Sequence, residues 1–258
     1  MNATGNLIAL YTVLRREIVR ILRIWTQTLL PPAITMTLYF VIFGKLVGSR
    51  IGTVEGGFSY MQYIVPGLVM MSIIQNTYGN ISSSFFSAKF QRSVEEILVS
   101  SMPSWVMLLG YVLGAVVRGV VTGAIVLGIA LFFTSLHLAH PAVIVASVLL
   151  GTTIFALAGF VNAVYAKTFD HIALVPTFIL TPLTYLGGVF WSVNMLGEPW
   201  RTLARTNPIL YMVNAFRYGV LGISDVSVWS AFAVMVGFVV ALTAIALALL
   251  KRGIGMRS

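Results

Sequence analysis

The sequence lacks cysteine and contains very few charged residues. Of its 258 residues, none is cysteine, 9% are charged and 59% are hydrophobic. Without cysteine the chain can form no disulfide, no thiolate nucleophile and no cysteine metal site. A soluble domain carries about 25% charged residues, so this chain could not cover its surface with polar groups. The composition excludes a disordered chain, a disulfide scaffold and a nucleic-acid-binding protein, and it predicts an integral membrane protein.

Acidic residues are scarce, and none of them falls in the middle of an apolar stretch. The chain has 7 Asp and Glu against 16 Lys and Arg. Proton-driven carriers usually place ionisable groups inside the membrane, so the sequence indicates an external energy source instead. A sodium-coupled carrier stays open, because such carriers use backbone and hydroxyl ligands. The three histidines, His137, His140 and His171, are too scattered to predict a metal site.

Motifs for catalysis are also lacking. The Gly44-Lys45 pair has neither the upstream glycine nor the following Ser or Thr of a phosphate-binding loop. No Ser, His and Asp set suited to hydrolysis is recognisable in the apolar segments. We therefore expect no catalytic residue in this chain, and no hydrolysis of ATP by this chain alone.

Six apolar segments are long enough to cross a bilayer, which takes about 20 residues. They are predicted at 25–47, 61–86, 105–134, 141–165, 172–190 and 228–250. The sequence thus predicts a single all-α membrane domain over residues 1–258. Pro31 and Pro32 lie near the start of the first segment and mark a bend, since proline is tolerated in a first helical turn.

Residues 6–24 predict an amphipathic helix in the membrane interface. At 100° per residue, Arg16, Arg20 and Arg23 share one face, opposite an apolar face. A soluble N-terminal helix is the alternative. Two connections also stand out: 87–104 predicts a short amphipathic helix at the membrane surface, and 191–227 is apolar enough for short helices that dip into the outer leaflet.

The distribution of basic residues predicts that both termini are cytoplasmic. With the N-terminus inside, the inner segments hold ten Lys and Arg: Arg15, Arg16, Arg20, Arg23, Lys89, Arg92, Lys167, Lys251, Arg252 and Arg257. The outer segments hold five: Lys45, Arg50, Arg201, Arg205 and Arg217. Cytoplasmic segments of membrane proteins carry the excess of Lys and Arg, which supports this orientation.

Arg118 lies near the middle of the third predicted span. An arginine there costs at least ~2.5 kcal/mol on insertion scales, so its side chain is expected to face the protein interior, a cavity or a partner. It either contacts an anionic substrate group or forms structural hydrogen bonds. The nearby pairs Gly110/Gly114 and Gly119/Gly123 have the spacing of close helix packing and favour the structural role.

The second predicted span carries a polar stripe. Its members lie within about 120° of one another on a helical wheel: Ser72, Gln75, Asn76, Gly79, Ser82 and Ser83. Lipid disfavours such a face, so we expect it to meet another helix, a second subunit or a translocation path. Tyr185, in the fifth predicted span, is a further candidate for lining that path.

Three regions of the sequence resemble the ABC-2 type permease family, and they occur in the family's order among the six predicted spans. The first holds Arg92, Glu95, Leu98 and Pro103, which resemble the family's coupling-helix pattern. The second, residues 182–190, resembles the fifth span where it enters the outer helices. The third and clearest is Asn207-Pro208-Ile209-Leu210-Tyr211 followed by Ala215-Phe216-Arg217-Tyr218-Gly219, similar to the family's Asn-Pro-apolar segment and its following arginine.

The resemblance implies the permease subunit of an ATP-binding cassette exporter (type V exporter fold) in the bacterial inner membrane. The subunit would form a homodimer, contact membrane lipid and bind two copies of a separate ATPase, which would hold ATP and Mg; this chain would need no cofactor or metal. Residues 6–24 would be the connecting helix. The coupling residues would be Lys89, Phe90, Gln91, Arg92, Glu95 and Glu96, and a periplasmic gate would include Asn207, Pro208, Tyr211 and Arg217.

The substrate that the resemblance implies is an amphipathic compound, a lipid, a glycan or a drug. Two other functions remain as alternatives. One is a gradient-driven carrier that acts without a partner, and the other is a membrane scaffold that transports nothing.

Overall fold

The computed structural model describes residues 2–94 and 102–255 of the chain. In that part the regular structure is helical, with a single isolated β-bridge between Thr53 and Ser59 and no strand. The helices are α1 (Ala3–Arg23), α2 (Trp25–Ile51), α3 (Tyr60–Phe90), α4 (Ser104–Ala130), α5 (Pro141–Tyr165), α6 (Phe169–Leu186), α7 (Trp200–Thr206), α8 (Pro208–Leu221) and α9 (Val228–Arg252). The predicted all-α fold is confirmed.

Among the described helices, five are long and apolar enough to cross a membrane: α2, α4, α5, α6 and α9. The remaining predicted span, 61–86, falls on α3, which has 31 residues but a more polar composition. Its neighbours α4, α5 and α8 enclose most of its surface, including Ile64, Leu68 and Ile81, which have no exposed surface. A helix enclosed by protein presents little surface to lipid, so α3 tolerates polar side chains that a lipid-facing helix would not.

The helix bounds differ from the predicted spans where the sequence gives no clear stop. The fourth predicted span, 141–165, coincides with α5, whose first residue is proline. In contrast, α4 ends at Ala130 rather than at 134, and α6 runs over Phe169–Leu186 rather than over 172–190. Both α2 and α6 contain a π-helical stretch, at Phe40–Val47 and Pro176–Leu180, which the apolar pattern does not reveal.

Helix α3 is packed against its surroundings at Gly67 but not at Gly79. A Cβ atom added to Gly67 would lie 2.6 Å from the carbonyl oxygen of Val189, whereas one added to Gly79 would meet nothing within 4 Å. Gly67→Ala is expected to destabilise the protein by about 1–3 kcal/mol, since the backbone at Val189 must move. The matched variant Gly79→Ala should be neutral, or stabilising by up to ~1 kcal/mol through helix propensity. Thermal unfolding of both variants in mild detergent measures the difference, and equal midpoints would contradict this packing.

Helix α1 runs alongside α4 in the same chain direction. The Cα of Gly110 faces Val13 and that of Gly114, one turn later, faces Glu17, which is likewise one turn after Val13. The arginine face therefore differs from that of an isolated interfacial helix: Arg16 and Arg20 turn toward the bundle. The exposed surface of α1 carries apolar residues, among them Leu7, Ile8, Tyr11 and Leu22, as well as Arg15 and Arg23. The position of this helix in the membrane interface stays a prediction.

A buried arginine cluster beside the polar face of α3

The carboxylate of Glu17 lies at the centre of a polar cluster between α1, α3 and α4. Its side chain is 2% exposed. The hydroxyl of Ser84 donates to both carboxylate oxygens, at 2.8 and 2.7 Å. On α1 itself, the guanidinium of Arg20 lies 3.0 Å from Glu17, and that of Arg16 lies 3.7 Å away. Helix α1 can place this carboxylate inside the bundle because α4 has a glycine, Gly114, directly opposite.

Arg118 belongs to the same cluster. Its Nη1 donates to Asn80 Oδ1 at 3.1 Å, and its Nη2 donates to Asn76 Oδ1 at 3.4 Å. The Nη2 of Arg20 donates to the same Asn80 oxygen at 2.6 Å. Asn80 therefore bridges two guanidinium groups from different helices. Arg118 faces the protein interior with hydrogen-bond partners, which accounts for an arginine so near the middle of a long apolar helix.

Arg16 completes the cluster at its outer edge. Its guanidinium donates to the hydroxyl of Tyr111, which has no exposed surface. The side chain of Arg16 itself is 43% exposed. The cluster thus extends from a buried core around Glu17 to the open side of α1.

The polar stripe of α3 is divided between a buried and a partly exposed side. Ser72 and Ser82 have no exposed surface, and Ser82 donates to the backbone of Tyr78 at 2.8 Å. The other members of the predicted stripe are partly exposed: Gln75, Asn76, Gly79 and Ser83. Of the stripe, the structure brings only Asn76 into contact with Arg118. The partly exposed members form a polar face on α3 that the single chain leaves uncovered, which we call the open polar face.

Tyr185 lies in a separate, aromatic cluster. Its ring stacks on Phe190 with the centroids 5.8 Å apart, and its hydroxyl lies 3.5 Å from that of Tyr39. Phe43 also contacts Phe190, at 4.9 Å between centroids. These residues join α2 to the end of α6, so Tyr185 takes part in helix packing as well as presenting a partly exposed side chain.

The predicted gate residues connect α8 to its neighbours. Asn207 caps α8 through Oδ1, which accepts from Ile209 N at 3.0 Å, while its Nδ2 donates to Leu183 O at 2.6 Å. Pro208 occupies the first position of α8, where its missing N–H costs no hydrogen bond. Tyr211 donates to the carbonyl of Arg205 at 2.8 Å.

Arg217 is the most deeply buried of these residues. It has no exposed surface, donates to the carbonyl of Gly188, and places its guanidinium 4.1 Å from the ring centroid of Tyr63. The charge pattern of the sequence predicts that Arg217 lies in an outer loop. In the structure its side chain is buried, and it connects α8 to α3 and to the end of α6. Its role in a gate stays a prediction.

The predicted coupling residues that the structure describes comprise the half-buried Lys89 and three exposed residues. Lys89 Nζ donates to the carbonyls of Val164 and Ala166, at 2.8 and 2.9 Å, and so satisfies the C-terminal end of α5. Burial lowers the pKa of this ammonium group, which lies beyond the predicted span 61–86. In contrast, the exposed side chains of Phe90, Gln91 and Arg92 follow on the surface.

Helix α3 ends at this surface. The backbone of Arg92 has a positive φ of 59°, a conformation that stops the helix. Residues 87–90 accordingly belong to the last turn of α3, and Ser93 and Val94 are helical again after the turn at Gln91 and Arg92. The predicted coupling residues Glu95 and Glu96, together with Leu98 and the C-terminal Arg257, lie outside the described residues.

Lys89→Met is expected to lower the free energy of unfolding by about 1–3 kcal/mol, because two helix-end carbonyls lose a charged donor. Lys167→Met provides the matched control, since Lys167 is exposed two residues after the end of α5 and should change stability by less than about 0.5 kcal/mol. Detergent-solubilised protein can be compared by thermal unfolding. Similar losses in both variants would argue against the capping role of Lys89.

Four residues of the cluster are not predicted from the sequence: Glu17, Asn80, Ser84 and Tyr111. One signal was available, since Glu17 and Arg20 have the three-residue spacing at which opposite charges pair on a helix. The contacts to Asn80 and Ser84 had no such signal, because their partners lie 38 to 67 positions away in the chain.

A bundle of apolar helices around an enclosed and more polar central helix defines a membrane protein of the multi-pass type. The family model of the ABC-2 type transporter matches residues 8–221. The inner membrane transport permease YadH of Escherichia coli (strain K12) is 54% identical over 251 residues, which cover 97% of this chain and 98% of that protein. Nodulation protein J of Rhizobium leguminosarum bv. trifolii is 26% identical over 222 residues, covering 83% and 82%. This chain belongs to the ABC-2 type transporter family.

Proposed function

We propose that this chain is the transmembrane permease subunit of an ATP-binding cassette exporter, and that two copies form the translocation path. The observation that carries the proposal is the open polar face of α3, formed by Gln75, Asn76, Gly79 and Ser83. Such a face is unfavourable in lipid. A second copy, with a polar path between the two chains, would cover it.

The burial of the helices also supports a second copy. Of the candidate spans, α2 and α6 bury the smallest share of their residues within the single chain, and the Tyr39–Tyr185 contact joins them. Both helices also contact α3. In this proposal α2, α3, α4, α5, α6 and α9 are six membrane spans, α1 is the connecting helix, and α7 and α8 are short helices at the periplasmic side that close the path.

The location in the bacterial inner membrane follows the relative named as an inner membrane transport permease, which is similar over nearly the full chain. Both termini would be cytoplasmic. Phe90, Gln91 and Arg92 would then lie on the cytoplasmic surface with Glu95 and Glu96, and would contact the ATPase. Two ATPase copies, which bind ATP and Mg, would drive the rearrangement of the dimer, and the substrate would be an amphipathic compound, lipid, glycan or drug.

Affinity purification from the native membrane tests this proposal. A tagged chain, extracted in mild detergent, is expected to retain a soluble ATPase at a ratio of one per permease, with vanadate-sensitive ATP hydrolysis. A permease oligomer without ATPase, under conditions in which a known ABC complex stays intact, would overturn the proposal. The weight would then pass to a gradient-driven carrier or a non-transporting scaffold. Transport by the purified chain in liposomes with an ion gradient alone would separate these two.

A further inference from the structure

The arginine cluster contains more hydrogen-bond donors than acceptors. Three buried nitrogen atoms in it have no partner among the described residues: Arg20 Nε, Arg118 Nε and Asn80 Nδ2. All three are donors, and Asn80 has no exposed surface. The acceptors beside them are already engaged, because the Glu17 carboxylate and the Asn80 amide oxygen each accept at least two hydrogen bonds. A group that satisfied the cluster would have to bring further oxygen acceptors.

The charges of the cluster lead to the same conclusion. Arg16, Arg20 and Arg118 are held around Glu17 and Asn80, and within the part of the chain that the structure describes only Glu17 forms ion pairs with arginine. The cluster therefore holds one carboxylate and three guanidinium groups. Removing charges from water is costly unless they are paired, so an anion would be favoured where these arginines converge.

Two arginines of the cluster are accessible from the side of α1. An open groove of about 530 Å³ runs along this helix and is lined by Arg16 and Arg20 together with Thr12, Arg15, Val19, Arg23 and Ile24, and Arg118 lies behind it. The neighbouring apolar side chains of Val19, Leu22 and Trp25 are exposed. An acidic head group at the arginines would thus have an apolar surface beside it for a hydrocarbon chain.

We propose that Arg16, Arg20 and Arg118 form a binding site for the phosphate head group of an anionic amphiphile. This inference rests on the proposed transport function, since it names the class of substrate that enters from the inner leaflet. A phosphate monoester suits the site because its several oxygens can accept from donors on different helices, and charge-assisted hydrogen bonds from arginine to phosphate are strong. Arg118, on α4, lies deeper in the cluster than the half-exposed Arg16.

Asn80→Asp is the sharpest test of the site. The substitution has the same shape, and it places a carboxylate oxygen where Asn80 Oδ1 now accepts from Arg20 and Arg118, at 2.6 and 3.1 Å. The protein would then supply the missing negative charge itself. The variant is expected to fold with unchanged or raised thermal stability and to lose at least about tenfold in affinity for the anion, which corresponds to one lost charged hydrogen bond.

The binding assay uses Trp25, which is exposed beside the groove, as a reporter. The purified full-length chain is reconstituted in phosphatidylcholine vesicles, and brominated phosphatidic acid is titrated against brominated phosphatidylcholine. Binding near α1 is reported when brominated phosphatidic acid quenches the tryptophan fluorescence at a lower mole fraction than brominated phosphatidylcholine does, and when this difference is lost in Trp25→Phe. Asn80→Asp and Arg118→Gln should weaken this selective quenching, whereas Asn194→Asp, at an exposed position, should not.

The outcomes separate the possible sources of the phosphate and the two proposals. Equal quenching by both lipids, or selective quenching that Asn80→Asp leaves unchanged, would overturn the site. Displacement of phosphatidic acid by inorganic phosphate at an equal concentration would overturn the assignment to an amphiphile. Because the assay needs neither ATP nor the ATPase, failure to bind phosphatidic acid by a chain that co-purifies with its ATPase would overturn the site alone. Selective binding by a chain without an ATPase would support the site while the transport function fails.

Discussion

Replacing Glu17 with glutamine is expected to lower the free energy of unfolding by about 1–3 kcal/mol, because a buried carboxylate loses its charged hydrogen bonds. The carboxylate is 2% exposed and accepts from Ser84 while pairing with Arg20. Glutamine keeps the size but removes the charge, so Arg16 and Arg20 lose their counter-charge, and water screens part of the loss because 43% and 29% of their side chains are exposed. Equilibrium unfolding of the purified protein in mixed micelles measures the loss.

Glu198→Gln is the matched control. Glu198 is exposed and accepts a hydrogen bond from Thr202 at 2.7 Å. Its replacement should change stability by less than about 0.5 kcal/mol. A second comparison isolates the ion pair: Glu17→Gln combined with Arg20→Gln should recover part of the loss, because one uncompensated charge is removed with its partner. A loss for Glu17→Gln no greater than for Glu198→Gln would show that the carboxylate does not stabilise the cluster.

The helices could be predicted because they depend on patterns that are local in the sequence. Helix α5 coincides with the predicted span since proline, which favours a first helical position, opens its apolar stretch. Helix α3 begins at Tyr60 because Ser59 and Gln62 form a capping box. The sequence does not predict that this helix continues to Phe90. A predicted span ends where polar residues begin, but a helix can continue through polar residues.

The arginine cluster could be predicted only in part. The free-energy cost of a charge in the middle of a span is enough to predict that Arg118 faces the protein interior. The helical wheel of residues 6–24 predicts which residues share a face, but it does not predict what covers that face. The packing of Gly110 and Gly114 against α1 decides that Arg16 and Arg20 turn toward the bundle. The spacing of the two glycines predicts that they pack against a helix. It does not identify that helix, because α1 lies about a hundred positions earlier in the chain.

The predicted coupling segment shows a second limit of local patterns. Charge and apolar residues alternate at helical spacing over 87–104, which supports a surface helix. The structure adds a contact that this pattern does not show: Lys89 donates to the end of α5, to acceptors that lie 75 and 77 positions later in the chain. The coupling role of the segment stays a prediction. Of the predicted coupling residues that the structure describes, Phe90, Gln91 and Arg92 are exposed and available to a partner. We call these three residues the exposed turn.

Phe90→Asp is expected to weaken binding of the ATPase by about 30-fold or more, because an aromatic anchor at the centre of an interface contributes 2 kcal/mol or more. The side chain is 68% exposed at the last residue of α3, and its ring lies 5.5 Å from that of Phe169, which is exposed as well. This pair forms an apolar patch beside the exposed turn. Since Phe90 lies at the surface, aspartate should leave the fold intact while it places a charge in the contact.

Phe132→Asp controls for the loss of an exposed aromatic ring. Phe132 is 90% exposed and follows the end of α4, whereas Phe90 precedes its beginning, so the two lie at opposite ends of this helix. In affinity purification, Phe90→Asp should lose the ATPase and its vanadate-sensitive hydrolysis, and Phe132→Asp should retain both. Full retention by Phe90→Asp would remove this turn from the contact. Loss in both variants would show that the effect does not come from contact at Phe90, because only the end of the bundle that carries Phe90 faces the cytoplasm in the proposed orientation.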